Sequence, residues 1–152
     1  MPHEVNEKSI NESIERVRSH NLSCDVYTNS KINFESTVLI INTTGILSKI
    51  YYYANCAYIG GGFNSGLHNT IEPAVYGIPI AFYGQDYTKY NEAVDLVNLG
   101  VATAVNDSAE LTTAFSTFLS NDFNINQLSN KLDTYFKSNS NTTSKILNSL
   151  KL

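Results

Sequence analysis

The sequence predicts an α/β fold built on a parallel sheet. Five short apolar runs alternate with longer segments of helical period, and glycines stand where several of these elements end. Strands that alternate with helices at this spacing are joined by crossovers, which cover the sheet and make neighbouring strands run parallel. The opening helix places Ile10, Ile14 and Val17 on one face, with Glu12 and Arg16 spaced to pair on the other. Strands follow at 24–28 and 37–41, the second rich in β-branched residues. The spacing then predicts a helix over 44–55, carrying Ile46, Leu47, Ile50, Tyr51 and Ala54. A strand at 56–60, a glycine loop and a short helix at 69–76 come next, with Gly77 as the left-handed residue that ends the helix. A strand at 78–82, a helix at 92–99 closed by Gly100, and a strand at 101–105 complete the α/β core. From Ser108 onward the period is helical only, through Leu111, Ala114, Phe115, Phe118 and Leu119, then Leu128, Leu132, Tyr135 and Phe136. A weakly amphipathic segment, 142–152, ends the chain.

The 152 residues suit a single domain, with an α/β core over 2–105 and a helical tail over 106–152. Hydrophobic residues are 42% and charged residues 16%, against roughly 25% charged in a typical soluble domain, which excludes a disordered chain. Apolar runs stay far below the roughly 18–20 residues of a membrane span, and Met1-Pro2-His3-Glu4 opens no signal peptide. A cytoplasmic location is expected. A net charge of −4 argues against nucleic acid or an anionic membrane as the main partner. Cys24 and Cys56 are too few for a disulfide scaffold and read as buried apolar residues at strand starts. No His, Cys, Asp and Glu cluster has metal-ligand spacing, and no Gly-x-Ser-x-Gly elbow supports a hydrolase triad.

In a parallel α/β sheet, ligands bind outside the carboxyl ends of the strands. The richest loop there runs Gly60-Gly61-Gly62-Phe63-Asn64-Ser65-Gly66-Leu67-His68-Asn69-Thr70-Ile71-Glu72-Pro73. It leads from a strand into a helix, so its backbone amides can face an anion, and its glycines admit a close ligand. It lacks the Gly-Lys-Ser/Thr of a P-loop, and it matches a dinucleotide fingerprint only with Ser65 in the third glycine position. Asn69 and Glu72 have two readings. One is a capping box, with Asn69 as N-cap, Glu72 reaching back, and Pro73 in the first turn. The other sets the Glu72 carboxylate on two ribose hydroxyls, with Asn69 donating to a phosphate or sugar oxygen. The two can hold together. A second strand-end loop, Asn42-Thr43-Thr44-Gly45-Ile46-Leu47, reads as an ordinary cap by Thr44 or as a cradle for a phosphate or base. His3 and His68 are weaker candidates: a lone histidine before the first helix is more often a capping or surface residue than a catalyst, while His68 in the glycine loop reads equally as a polar ligand contact or as loop packing. Of Tyr51, Tyr52 and Tyr53, two are expected to pack; Tyr83, Tyr87 and Tyr90 rim a cleft or form a packed surface loop. Residue by residue, this describes a Rossmann-like domain with a phosphorylated ligand at its strand ends.

Taken together the segments resemble the C-terminal half of bacterial Kdo transferases, glycosyltransferases of family 30. These enzymes move 3-deoxy-D-manno-octulosonic acid (Kdo) from CMP-Kdo to lipid A precursor. The resemblance rests on Pro2-His3-Glu4, Gly45-Ile46-Leu47, the run from Ala54 to Phe63, His68-Asn69-x-x-Glu72-Pro73, and Gly77-Ile78-Pro79-Ile80 with Gly84 beyond. It covers 2–105, while the tail matches only in type. A looser Glu-Pro motif occurs in other two-domain glycosyltransferases of the GT-B kind.

The resemblance implies a Rossmann-like donor domain. Glu72 would hold the ribose and Asn69 the phosphate region, with His68 and His3 also at the donor site. Gly45, Ile46 and Leu47 would receive cytosine and phosphate, and the backbone of Gly60, Gly61 and Gly62 would line the donor. It implies no metal or other cofactor, a lipid A precursor met through an N-terminal domain that carries the base, and a full enzyme at the cytoplasmic face of the inner membrane. That N-terminal domain is not represented in these residues, so the chain is expected to be an inactive fragment whose sheet lacks a strand and self-associates. Many members carry an arginine soon after the first histidine, where this chain has Glu4, Val5 and Asn6; Lys8 or Lys89 would have to replace it. The alternatives are a donor domain for a UDP-sugar and a free-standing nucleotide-binding module.

Overall fold

A computed structural model describes residues 6–27, 35–61 and 66–140. The chain divides into two compact units at Leu47/Ser48. In the first unit, α1 spans Glu7–Ser19 and is opened by Asn6, whose side chain accepts from the Ser9 backbone N–H at 2.9 Å. Ile10, Ile14 and Val17 are half-buried, as the helical period predicts. The surface pair differs: Glu12 lies 4.0 Å from Lys8, one turn earlier, rather than against Arg16. Both side chains are largely solvated, so little energy selects one partner over the other. Strands β1 (Cys24–Tyr27) and β2 (Val38–Ile41) pair in parallel, with Cys24 opposite Val38 and Tyr27 opposite Ile41. Thr28, expected to end the first strand, lies outside the described residues.

The helix predicted over 44–55 is much shorter. It forms one turn, α2 (Leu47–Ile50), continued by a 3-10 turn at Tyr51–Tyr53. Gly45 sits at φ +82°, which no helix contains, so helix formation starts after it. Three consecutive tyrosines lose side-chain freedom in a helix and do not carry it further. Tyr51 alone packs inward; Tyr52 and Tyr53 are 73% and 83% exposed, so one tyrosine packs where two were expected.

The second unit holds a three-stranded parallel sheet in the order β3-β4-β5: β3 (Ala57–Ile59), β4 (Ile80–Tyr83) and β5 (Ala102–Val105). Ala57 faces Ile80, and Ile80 faces Ala102. Ile80, Ala81 and Phe82 on the central strand are fully buried, the continuous apolar run of a parallel strand covered on both faces. The expected start at Ile78 shifts by two residues. Pro79 has no N–H for the ladder, although its carbonyl accepts from Ala57 N at 3.0 Å.

Helix α3 (Ile71–Val75) joins β3 to β4, and α4 (Asn91–Asn98) joins β4 to β5. Gly77 follows α3 at φ +72°, fulfilling its expected role. After β5 come α5 (Ser108–Phe118) and α6 (Ile125–Asn139). Leu128 and Leu132, one turn apart on α6, enter the core with Ile59, Ala74, Phe82, Ala93 and Leu96. At about 25 cal/mol per Å² of buried apolar surface, each such leucine contributes roughly 2 kcal/mol. The segment 142–152 lies outside the described residues.

Candidate functional site

In the second unit, β3 ends at the glycine loop. Gly61 and Leu67 form an antiparallel bridge, and His68 N donates to the Gly60 carbonyl at 3.2 Å. These contacts close a neck at the carboxyl end of β3. Gly61 has φ +89°, and a Cβ there would overlap the carbonyl oxygen of Gly66, so only glycine lets the two sides of the neck approach this closely. The neck has a third support. The Tyr90 hydroxyl oxygen, from the residue before α4, accepts from Leu67 N at 3.3 Å. Gly62 and the residues to Ser65 lie outside the description, as does His3.

Asn69 and Glu72 are exposed just beyond the neck. Asn69 Oδ1 accepts from Ile71 N at 2.9 Å and from Glu72 N at 3.4 Å, the work of an N-cap side chain. Thr70, however, occupies the position immediately before α3, one residue later than expected. Glu72 departs from a capping box as well. Its Oε1 accepts from the Asn69 side-chain amide at 3.1 Å, where the box requires a bond to the cap's backbone N–H. The cap therefore holds the carboxylate by one oxygen. Among the described residues Glu72 Oε2 has no hydrogen-bond partner.

Two neighbours shape this corner. Tyr51 packs against the core with its ring centroid 6.3 Å from that of Tyr76. Its phenol pKa is raised first by burial and second by the negative charge of Glu72, so carboxylate and phenol share one electrostatic environment. Thr70 is 1% exposed, and its hydroxyl has no partner among the described residues. His68 is exposed, with its ring edge beside Gly61.

The other loop belongs to the first unit. Gly45 is exposed, Ile46 and Leu47 are half-buried, and α2 begins at Leu47, three residues past the expected cap Thr44. Cys24 and Cys56 are half-buried rather than buried, Cys24 at a strand start and Cys56 one residue before one. Burial pushes the Cys56 thiol pKa up. Each lysine considered as an anion contact already meets a carboxylate, Lys89 with Asp86 at 3.1 Å and Lys8 with Glu12. Among the described residues no group of three His, Cys, Asp or Glu is arranged to hold a metal. No described helix is long and apolar enough to cross a membrane. A cavity of about 300 Å³ opens elsewhere, lined by Gly100, Thr117, Asp122, Phe123, Gln127 and Lys131. Gly100 precedes β5, so this cavity lies toward the amino end of that strand, away from the strand ends where the glycine loop begins.

The Tyr90–Leu67 contact and the buried Thr70 hydroxyl were not legible in the sequence. The first joins residues 23 positions apart, and nothing local marks the second.

A parallel α/β sheet with a glycine neck and a carboxylate at a strand end defines a Rossmann-like domain. Comparison with known proteins narrows the class. No family model matches the chain. It is 34% identical over 90 residues to a 3-deoxy-D-manno-octulosonic acid transferase of Aquifex aeolicus (strain VF5), a match spanning 58% of this chain and 25% of that protein. Among solved structures it matches the C-terminal CMP-Kdo binding domain of WaaA from Acinetobacter baumannii, with a TM-score of 0.73 and 17% identity. That match covers 85% of this chain and 68% of the other, and it shows that the two share a Rossmann-like fold. Sequence and fold thus agree with the resemblance carried by the motifs, to the C-terminal domain of a Kdo transferase.

Proposed function

We propose that the chain is the donor-binding domain of a Kdo transferase, takes up CMP-Kdo, and serves Kdo transfer to lipid A precursor in lipopolysaccharide biosynthesis. The observation that carries this reading is the Asn69–Glu72 pair beside the glycine neck, in a chain similar in sequence to such an enzyme. Glu72 offers one oxygen without a hydrogen-bond partner among the described residues, and its other oxygen keeps acceptor capacity beyond the Asn69 bond, so the carboxylate can take both ribose hydroxyls. The backbone of Gly60 and Gly61 would line the donor, and Asn69 would meet its phosphate region.

In this reading transfer inverts the anomeric centre and uses no metal; hydrogen-bond donors near the phosphate stabilise the departing CMP. The base that deprotonates the acceptor belongs to a part of the enzyme outside these residues. The chain by itself binds nucleotide and transfers nothing, and the enzyme works at the cytoplasmic face of the inner membrane. Self-association of the chain would appear in sedimentation at tens of micromolar as a species heavier than a monomer.

Calorimetric titration with CMP and UMP tests the reading. A hydrogen bond to a charged group is worth about 1.5–3 kcal/mol, so Glu72→Ala should weaken CMP about ten-fold or more. A preference for UMP would instead assign a UDP-sugar. No binding of either nucleotide by the folded chain would refute a self-sufficient donor site.

A further inference from the structure

We propose that Tyr90 is a positioning residue for the neck formed by Gly60, Gly61, Leu67 and His68, fixing it at the carboxyl end of β3 beside the donor phosphate; this rests on the donor-site reading above. Tyr90 precedes α4, where Asn, Asp, Ser or Thr would ordinarily cap the helix, yet it makes no side-chain cap bond. Its side chain instead reaches the neck. The hydroxyl oxygen accepts from Leu67 N at 3.3 Å, and Leu67 is bridged to Gly61 across the loop's entrance. The ring packs against the core, and the Tyr90 carbonyl accepts from Ala93 N and Val94 N, both at 3.1 Å. One residue thus ties the first turn of α4 to the loop after β3.

The fit is close. A Cβ on Gly66 would lie 2.6 Å from the Tyr90 hydroxyl oxygen and 3.7 Å from the ring carbon bearing it. The space at Gly66 is therefore occupied by the hydroxyl specifically, not by the ring. The hydroxyl also keeps its own proton, since it acts here as an acceptor.

Tyr90→Phe keeps the ring and removes the tie. In the free protein, hydrogen exchange at the Leu67 amide should speed up by about three- to ten-fold, the scale of one neutral hydrogen bond. CMP affinity should fall by about the same factor, while cytidine, which has no phosphate, should bind the variant and the wild type equally. A general loss of structure would weaken both ligands together. Gly66→Ala supplies a second, independent readout. It meets the hydroxyl in the wild type but only the more distant ring carbon in Tyr90→Phe, so it should cost less affinity and stability in that background. Unchanged Leu67 exchange, equal losses for CMP and cytidine, or an identical cost of Gly66→Ala in both backgrounds would each overturn the proposal. Failure of the donor-site reading looks different: the wild type itself would not bind CMP.

Discussion

Asn69 separates the two tasks assigned to the start of α3. Its Oδ1 takes the Ile71 and Glu72 backbone N–H groups at 2.9 and 3.4 Å, and its amide holds Glu72 Oε1 at 3.1 Å. Removing the side chain in Asn69→Ala leaves the first amides of a five-residue helix without their protein acceptor. Loss of such a cap costs about 0.5–2 kcal/mol, typically near 1. For a chain of this size that lowers the melting temperature by roughly 2–4 °C per kcal/mol. Asn69→Ser keeps a cap oxygen but cannot donate to Glu72 as the amide does, so its stability should stay within about 0.5 kcal/mol of wild type. Both variants free the carboxylate, and both should weaken CMP. Thermal and urea denaturation give the first quantity and calorimetry the second. The reasoning fails if Asn69→Ala melts like wild type, or if Asn69→Ser loses as much stability as Asn69→Ala.

Three further outcomes follow from the same contacts. Gly61→Ala places a Cβ on the Gly66 carbonyl oxygen and holds alanine at φ +89°, so it should open the neck, speed exchange at Leu67 and His68, and abolish measurable CMP binding. Thr70→Val replaces a buried, unpartnered hydroxyl by a methyl group of nearly the same shape; denaturation should show a gain of up to about 1 kcal/mol. Tyr135 donates to Asp95 Oδ2 at 3.0 Å, and its phenol pKa is raised above 10.0, first by burial and then by that bond. Because the folded value exceeds the unfolded one, its contribution is complete below about pH 10 and is lost as pH rises through the folded value. Tyr135→Phe should flatten the alkaline limb of the stability profile.

Much of this fold is legible because parallel strands and amphipathic helices announce themselves locally. The buried run Ile80–Phe82 and the Leu128/Leu132 stripe each carry their period within a few residues, and Gly77 marks a helix end by chemistry alone. The 44–55 segment misled because its apolar spacing is helical while Gly45 and the three tyrosines work against helix. The candidate site divides in the same way. Asn69 and Glu72 are three residues apart, so their mutual contact follows from spacing, although the details of the cap do not. Tyr90 reaches the glycine neck from 23 residues away, and only the packing of α4 against the sheet brings it there. The half-buried state of Cys56 likewise depends on surroundings that its neighbours in sequence do not specify.

Amide chemical-shift mapping of the isotopically labelled chain titrated with CMP locates the nucleotide directly. The account predicts that the largest shifts fall on Gly60, Gly61, Leu67, Ile71 and Glu72, and that Glu72→Ala removes them. Shifts centred instead on Thr117, Gln127 and Lys131, around the cavity at the other end of β5, would contradict it.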